Sequence, residues 1–408
     1  MFNQTINKPP VNIENEPKTF LSIAGNTAHQ QKVLQGIRKY VIRYRVRLHI
    51  FMIALYSYAS VAKAVKAMKG FMQMKKDVWG FKGNLKMVEV DGKFYFSLYA
   101  PGFPSSIFNN YIRGELNRVV PIKKKTNPLS FIFFAITRKC PLQCEHCFEW
   151  DNLNQKETFT LEELEQVVKK FQRDGISQFH LSGGEPLVRV KDLEALIAHA
   201  DKKSEFWILT SGFHLTAESA KRLKKAGATG VVISLDHVDA EAHNAFRGFD
   251  QAYQWVLKAV QNAKAQKLVV ALTVCATRSF TTWDNLMAYV NLARSLGVSF
   301  VQVLEPKPVG HYQGKQVQLS PEQLKMLEDF YTTLNYDPQY KDYPIILYHG
   351  FHQRRIGCFS AGNRNLYIDA AGYVNSCPFC QSKTYNIKDA IGEEKQQQLQ
   401  SSMHCPLY

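Results

Sequence analysis

Residues 130–137 read SFIFFAIT and are followed by a cysteine-rich loop, KCPLQCEHCF, at 139–148. The loop carries Cys140, Cys144 and Cys147 at a C-x3-C-x2-C spacing. A structural zinc site closes with four ligands, usually as two pairs separated by a longer loop, whereas this loop offers three thiols. Three thiolates on one loop suit an iron–sulfur cluster that leaves one iron for a ligand from outside the protein. A coincidental group of cysteines is the alternative at this point.

The apolar run also opens a repeating pattern of strand, loop and helix. Six β-rich runs follow one another: SFIFFAIT, QFHLSGG, EFWILTS, GVVISLD, LVVALTV and SFVQVLE. Helical patterns lie between them, such as TLEELEQVVKKFQRDG, in which Thr160 is the predicted cap before an acidic first turn. Alternating units of this length predict a parallel sheet with covering helices. In such sheets, ligands bind at the carboxyl ends of the strands.

Polar residues stand at those strand ends. The second strand ends in SGGEP, where Gly183 and Gly184 allow close backbone approach and Glu185 can pair with a cationic group. Taken alone, this motif is more often a simple turn. The third and fourth strands end in LTSG and SLDH, which offer hydroxyl and carboxylate groups suited to a ribose.

Together these motifs resemble the radical S-adenosylmethionine (radical SAM) superfamily. The resemblance covers about residues 129–310 and includes FRG at 246–248 beyond the fourth strand. It implies an α/β fold, a partial (β/α)6 TIM-like barrel, in which three thiolates hold a 4Fe-4S cluster. The fourth iron would be ligated by the amino and carboxylate groups of SAM. One electron would then cleave SAM, and the resulting 5′-deoxyadenosyl radical would abstract hydrogen from the substrate.

The resemblance also implies the residues that contact SAM. They are His146, Gly183, Gly184, Glu185, Ser211, Ser234, Asp236 and Arg247. The glycines and Glu185 would meet the methionyl amine, and the serines and Asp236 would lie at the ribose and carboxylate region. His146 would lie beside the adenine, whereas Arg247 would either contact the SAM carboxylate or tie down its own loop. At Ser211, T-S-G stands where the family more often has T-N-G.

A second group of cysteines consists of Cys358, Cys377, Cys380 and Cys405. The spacing of Cys358, Gly372 and Cys377 resembles the C-x9–15-G-x4-C opening of SPASM and twitch extensions, and four cysteines imply a twitch-like domain with one auxiliary 4Fe-4S cluster. The segment LYIDAAGYVNSC predicts a β-hairpin with its turn around 370–372. A four-cysteine zinc site is the alternative. The remaining Cys275 is interpreted as a small buried apolar residue.

The basic charge is concentrated near the N-terminus. Residues 1–130 hold 21 Lys and Arg against 6 Asp and Glu, so they carry +15 of the net +16. An uncharged stretch of 15 residues, Leu48–Ala62, is flanked by basic residues. As a helix it spans only about 22 Å, short of the hydrocarbon core of about 30 Å. It would lie in a membrane interface or pack on the neighbouring domain. KMVEVDGKFYFSLYAPGFP predicts a β-hairpin.

We therefore expect four regions. They are a flexible tail at 1–30, a basic helical and hairpin region at 31–128, the partial barrel at 129–312, and a bridging helix with a small cluster-binding domain at 313–408. After the sixth strand, LEPKPVGHY supplies Glu305 and His311 as candidate general acids or bases. Glu305 equally suits a salt bridge, and His311 a loop position.

Three hypotheses about function remain open. The first is a membrane-proximal enzyme whose N-terminal region reaches a lipid, isoprenoid or lipid-linked substrate at an anionic surface. In the second, that region grips a leader peptide or protein, and the enzyme matures a ribosomally made peptide. The third is a cluster-binding electron-transfer or regulatory protein without radical chemistry, against which G-G-E-P counts. A nucleic-acid partner ranks low, because the basic residues interleave with an apolar helix.

Two further expectations concern the supply of electrons and the cellular compartment. We expect the auxiliary cluster to relay electrons, and a reducing donor such as flavodoxin or ferredoxin to supply them. The opening MFNQTINKPPVNIENEPK does not read as an export signal, and clustered cysteines are typical of a reducing compartment. The predicted location is therefore cytoplasmic, with attachment to the inner face of the membrane under the first hypothesis.

Overall fold

The computed structural model describes residues 31–79, 86–122, 129–358 and 364–389. The predicted tail at 1–30 and Cys405 lie outside the described residues. Described N-terminal elements are α1 (Gly36–Tyr58), α2 (Val61–Trp79), β1 (Val88–Val90), β2 (Lys93–Tyr95) and α3 (Ser106–Val119).

The predicted N-terminal hairpin is confirmed as β1 paired antiparallel with β2. Its turn residues Asp91 and Gly92 have φ values of 51° and 74°, the left-handed conformation that favours a two-residue hairpin turn. Helices α1, α2 and α3 share a core of their own, to which Ile50, Phe71 and Ile112 contribute. The predicted apolar helix therefore packs one of its faces inside this helical bundle.

A ten-stranded sheet holds the rest of the described chain together. Its strands are β3 (Phe131–Ala135), β4 (Gln178–Ser182), β5 (Glu205–Thr210), β6 (Ala228–Ser234), β7 (Val269–Cys275), β8 (Phe300–Leu304), β9 (Ile345–Tyr348), β10 (Asn365–Ile368), β11 (Tyr373–Asn375) and β12 (Tyr385–Asn386). The order is β12-β11-β10-β3-β4-β5-β6-β7-β8-β9. All pairs from β10 to β9 are parallel.

The six predicted strands are β3 to β8, and the parallel part of the sheet extends beyond them on both sides. On one side, β9 pairs with β8. On the other, β10 pairs with β3 and begins the predicted C-terminal hairpin, in which Tyr367 is opposite Asn375 on β11. Strands from the predicted region 313–408 are thus hydrogen-bonded into the same sheet as the predicted barrel.

Helices alternate with these strands. They are α4 (Leu161–Arg173), α5 (Val190–His199), α6 (Ala217–Ala226), α7 (Ala240–Arg247), α8 (Ala252–Ala265), α9 (Trp283–Ser295), α10 (Pro321–Tyr336) and α11 (His349–Ile356). The predicted cap of α4 is confirmed, because the Thr160 hydroxyl accepts from the Glu163 N–H and the Glu163 carboxylate accepts from the Thr160 N–H.

Successive side chains of a strand point to opposite faces of a sheet, and the two faces here have different cover. Phe206 and Ile208 of β5 belong to the core formed with the helices. Trp207, between them, packs instead with Val88 and Tyr95 of the N-terminal hairpin. The N-terminal region therefore covers the face of the sheet that the helices leave open. The residues that follow its hairpin reach the carboxyl ends of the strands.

Candidate functional site

A cavity of about 340 Å³ lies at the carboxyl ends of the parallel strands. Its walls include these predicted site residues: Cys140, Cys144, His146, Cys147, Gly183, Gly184, Glu185, Ser211, Ser234, Asp236, Arg247, Glu305, Cys358 and Cys377. His311 and Cys380 are not among the lining residues. The structure thus brings the first cysteine group, all eight predicted SAM contacts and half of the second cysteine group to one place.

The two glycines of SGGEP bring the end of β4 against the start of the cysteine loop. Gly184 donates its N–H to the Thr137 carbonyl at 2.8 Å, and Glu185 donates its N–H to the Lys139 carbonyl at 2.8 Å. A Cβ at Gly183, where φ is 154°, would lie 2.6 Å from the Thr137 carbonyl oxygen. A side chain at either glycine would therefore push the cysteine loop away from the strand end.

Glu185 is fully buried, and protein donors surround its carboxylate. Oε1 accepts from the Thr210 hydroxyl at 2.7 Å and the Leu187 N–H at 3.1 Å. Oε2 accepts from the N–H and hydroxyl of Ser211, at 2.8 and 2.6 Å. Four donors occupy the approximately four lone-pair positions of a carboxylate. Glu185 therefore ties β4 to the end of β5, and a ligand amine would have to share these positions.

Arg247 is a buried cation at the base of the cysteine loop. Its guanidinium lies 2.5 Å from the Asp236 carboxylate and donates to the Cys144 sulfur at 3.6 Å. Its carbonyl also accepts from the Gln143 N–H at 3.1 Å. Burial raises the pKa of Asp236, but Arg247 and nearby histidines outweigh that effect, so the pKa lies below its ordinary value. These contacts fix Arg247 to the cysteine loop, and its contact with the SAM carboxylate stays a prediction.

His146 stacks on Phe246, with ring centroids 4.8 Å apart and planes 16° apart. Burial lowers the pKa of His146 to about 4, so its ring is neutral near pH 7. Its Nδ1 atom is buried and has no hydrogen-bond partner among the described residues. A neutral ring with an available nitrogen suits the predicted position beside a nucleobase.

The two cysteine groups meet through a pair of phenylalanines. Phe148, next to Cys147, packs edge-on against Phe379 with centroids 5.9 Å apart, and Phe379 stands between Cys377 and Cys380. The Gln381 side chain donates to the Phe148 carbonyl at 2.6 Å. The segment that follows the first cysteine group is therefore fixed to the segment that carries part of the second.

Glu305 is a buried member of an ion-pair network. Its Oε1 atom accepts from the Tyr348 hydroxyl and from Arg354, both at 2.7 Å, and its Oε2 atom lies 3.1 Å from the Lys307 ammonium. Arg354 also pairs with Glu328. Although Glu305 lines the cavity, its oxygens are therefore engaged with the end of β9 and with α11.

His311 lies outside the cavity wall and packs behind the cysteine loop. Its ring stacks on Trp150 with centroids 3.9 Å apart, and Nδ1 lies 3.0 Å from the Cys144 carbonyl oxygen. Its backbone N–H donates to the Cys147 carbonyl at 2.9 Å. These contacts place His311 against the backbone of Cys144 and Cys147, outside the residues that line the cavity.

Sequence reasoning missed several residues of the cavity. Tyr99, which follows the N-terminal hairpin, lines the cavity, accepts a hydrogen bond from Gln302 at 2.6 Å and stacks on His180. Glu149 and Tyr367 are also in the wall and are hydrogen-bonded to each other. The sequence holds no signal for these pairs, because their members lie 81 to 218 residues apart.

The residues fit the cluster that the motif implies. Within the described ranges, no three His, Cys, Asp or Glu side chains are grouped so that they could share one metal ion. Thiolates that each bind a different iron of a 4Fe-4S cluster need to surround a space and need not meet at one point. Burial raises the pKa of the Cys144 thiol, and the neighbouring Arg247 opposes that rise and favours the thiolate.

In the parts of the chain that the structure describes, every helix is too short or too polar to cross a membrane.

Residues 134–290 match the family model of the radical SAM superfamily. The resemblance predicted from the motifs is thereby confirmed at this level: the chain contains a radical SAM superfamily domain.

Curated relatives are similar in sequence to part of this chain. The GTP 3′,8-cyclase of Aquifex aeolicus (strain VF5) is 24% identical over 67% of this chain and 89% of its own length. The PqqA peptide cyclase of Streptomyces rochei is 27% identical over 60% of this chain and 68% of its own length. The PqqA peptide cyclase of Granulibacter bethesdensis is 32% identical, over 41% of this chain and 45% of its own length.

Two solved structures resemble the fold. Streptococcus suis SuiB bound to precursor peptide SuiA has a TM-score of 0.54 and 15% identity, covering 88% of this chain and 82% of that chain. Native anSMEcpe with bound AdoMet and Cp18Cys peptide has a TM-score of 0.52 and 20% identity, covering 68% and 82%. At this identity the likeness concerns the fold alone.

Proposed function

We propose that this radical SAM enzyme holds a 4Fe-4S cluster at Cys140, Cys144 and Cys147, binds SAM beside it, and modifies a peptide. The observation that carries the proposal is the convergence of the three thiols, Glu185 and the Asp236–Arg247 pair on one cavity. When bound, the cluster and SAM supply a 5′-deoxyadenosyl radical that takes a hydrogen atom from the substrate.

The chain's own residues prepare this chemistry. Arg247 donates to the sulfur of Cys144, and Asp236 holds the guanidinium in place. Gly183 and Gly184 let the strand end approach the loop without a side chain between them. Aromatic and aliphatic side chains such as Tyr99, Phe133 and Leu209 line the cavity and exclude water from the reacting groups.

We also propose that the chain holds a second 4Fe-4S cluster at Cys358, Cys377, Cys380 and Cys405. Cys358 and Cys377 line the same cavity as the first cysteine group, and the Phe148–Phe379 contact joins the two segments. An electron removed from a substrate radical would have a short route along this contact. The alternative is a zinc ion at the second group, and metal analysis of anaerobically purified protein separates the two. Stoichiometric zinc with the iron of one cluster would overturn the second cluster.

The relatives support a peptide substrate more than the lipid-linked substrate of the first hypothesis. Two are named as peptide cyclases, and the fold resembles SuiB, solved with a precursor peptide. A lipid-linked substrate is the second candidate, because large apolar side chains are exposed along α1. The relatives argue against the electron-transfer hypothesis, since those that share this domain are named as cyclases, which are enzymes.

The transfer of deuterium identifies the substrate class. Cells of the source organism are grown in heavy water, and their peptides and lipids are separated and returned to light water before use. The reduced, cluster-loaded enzyme is incubated with SAM and one fraction at a time, and the 5′-deoxyadenosine is analysed by mass spectrometry. We expect deuterium in 5′-deoxyadenosine only with the peptide fraction. Deuterium transfer from the lipid fraction alone would overturn the peptide assignment, and absence of 5′-deoxyadenosine in every arm would overturn the radical chemistry.

A further inference from the structure

Helix α1 exposes a row of large apolar side chains. We call the following residues the apolar stripe: Ile37, Tyr40, Val41, Tyr44, Leu48, Met52 and Tyr56. They recur at spacings of three and four residues, so they share one face of the helix. Ile37 is 82% exposed, Tyr44 68% and Tyr56 80%. The opposite face carries the buried residues Ile42, Val46, Ile50 and Ile53.

The stripe is not explained by packing within the described chain. A surface helix ordinarily buries one apolar face and presents polar residues on the other, whereas α1 is apolar on both. Single exposed apolar residues are common, but seven on one face form a continuous row that marks an interaction surface. Helix α2 adds exposed Val61, Val65 and Met72.

The charge around the stripe selects the kind of partner. Residues 36–76 contain ten Lys and Arg and no Asp or Glu. Arg45 and Arg47 are exposed, and helical spacing places them on opposite edges of the stripe. An apolar row bordered by cations matches the boundary between anionic headgroups and acyl chains.

We propose that the apolar stripe docks α1 on an anionic membrane surface, with the helix lying in the plane of the interface. This proposal goes beyond the proposed function, because it concerns where the enzyme works and applies to either substrate class. A second copy of the chain is a poorer occupant. A symmetric pair would bring two acid-free basic surfaces together, and their repulsion would oppose association.

Vesicle flotation tests the proposal. The full-length, cluster-loaded protein is mixed without oxygen with vesicles of phosphatidylcholine alone, or of phosphatidylcholine with phosphatidylglycerol, at low and high salt. We expect the protein to float with the anionic vesicles, and high salt to release it because salt screens the attraction. Analytical ultracentrifugation without vesicles gives its oligomeric state.

Two variants separate the contributions of the apolar side chains and of the arginines to vesicle binding. Y44Q/L48Q/M52Q removes the centre of the stripe and is expected to weaken binding at least about tenfold. R45Q/R47Q is expected to weaken binding to anionic vesicles roughly thirtyfold, since each basic residue near the surface contributes about 1 kcal/mol. The matched control K221Q/K225Q removes two exposed lysines from α6 and should bind like wild type. All three should retain wild-type SAM cleavage without vesicles.

Several results would overturn the proposal. One is wild-type binding that is absent, or equal on neutral and anionic vesicles. A second is flotation of the stripe variant at the wild-type level. A third is a dimer that Y44Q/L48Q/M52Q abolishes, without vesicle binding, which would assign the stripe to a second copy. Because SAM cleavage is measured separately, none of these results is confused with failure of the radical chemistry.

Discussion

The cavity and the apolar stripe use opposite physical arrangements. In the cavity, ionisable groups are buried and hydrogen-bonded: Glu185 accepts four hydrogen bonds, and Asp236 holds Arg247 against Cys144. Along α1, apolar side chains stand in water beside arginines. The cavity is assembled from strand ends and loops far apart in the chain, whereas the stripe belongs to a single helix. Substitutions should therefore affect folding and chemistry in the first region and surface binding in the second.

The cysteines provide the largest test of the cavity. Cys144→Ala removes one of the three proposed cluster ligands, and we expect 5′-deoxyadenosine formation to fall to background because SAM would no longer be reduced at the cluster. Cys275→Ala is the matched control, since Cys275 is a buried thiol that lines the same cavity outside both cysteine groups. Chromatography of the SAM cleavage products measures both. Wild-type cleavage by Cys144→Ala would remove this cysteine from the site.

The buried ion pair gives the next largest effect. Asp236→Asn leaves the Arg247 guanidinium without its counter-charge, which is expected to lower the free energy of unfolding by about 3–5 kcal/mol. Asp201→Asn breaks the exposed pair with Lys203 and should cost about 1 kcal/mol or less. Denaturant unfolding without oxygen compares the two variants. Equal costs would mean that the Asp236–Arg247 pair contributes no more than a surface pair.

Two features of the fold show where sequence reasoning succeeds. The sequence predicts that the strand-end motifs lie together, because the carboxyl ends of parallel strands meet at one edge of a sheet. In the structure these motifs line one cavity. The sequence predicts the Asp91–Gly92 turn because an Asp-Gly pair favours the left-handed conformation of a two-residue hairpin turn. Both inferences depend on local patterns.

Other features depend on the assembled fold. Nothing near Glu305 in the sequence indicates that Tyr348 and Arg354, more than 40 residues away, occupy its carboxylate. Strand β10 joins the sheet beside β3, although more than 200 residues separate them. The helical pattern of α1 predicted either burial or an interface, and the structure shows a buried face and an exposed face on the same helix.

Glu305 tests whether a cavity residue acts chemically or structurally. Glu305→Gln removes the charge that faces Arg354 and Lys307, so we expect the free energy of unfolding to fall by about 2–3 kcal/mol. SAM cleavage measured below the unfolding transition should stay within about threefold of wild type. Unchanged stability with a large loss of substrate turnover would instead support the predicted acid–base role.

The buried histidine of β4, His180, predicts a pH dependence of stability. Burial, with a contribution from His349, lowers the pKa of His180 to about 3, whereas an unfolded histidine titrates near 6.5. Between these values the unfolded chain binds a proton that the folded chain does not, so stability falls as pH falls. His180→Phe should reduce that slope by about 1.4 kcal/mol per pH unit between about pH 6 and 4.

The control for this measurement is His199→Phe, which changes an exposed ring on α5. Denaturant unfolding across the pH range, for wild type and both variants, gives the slopes. A slope that is the same in wild type and His180→Phe would contradict the assignment of the proton to His180.

The smallest expected effect concerns the stability of α1. Tyr44→Gln changes an exposed residue and should alter the free energy of unfolding by no more than about 0.5 kcal/mol. Val46→Ala, on the buried face two residues away, should cost roughly 1–3 kcal/mol. Thermal unfolding of both variants compares the two faces. A large cost for Tyr44→Gln would show that the stripe is covered by the chain itself.

The most direct test of the account is the electron paramagnetic resonance spectrum of the reduced, cluster-loaded protein with and without SAM. The central claim is that three cavity thiolates leave one iron open to SAM. We predict that SAM changes the signal of one cluster in wild type and in Cys377→Ala, and that this SAM-sensitive signal is missing in Cys144→Ala. A wild-type spectrum that SAM leaves unchanged, or a SAM-sensitive signal that survives in Cys144→Ala, would contradict the claim.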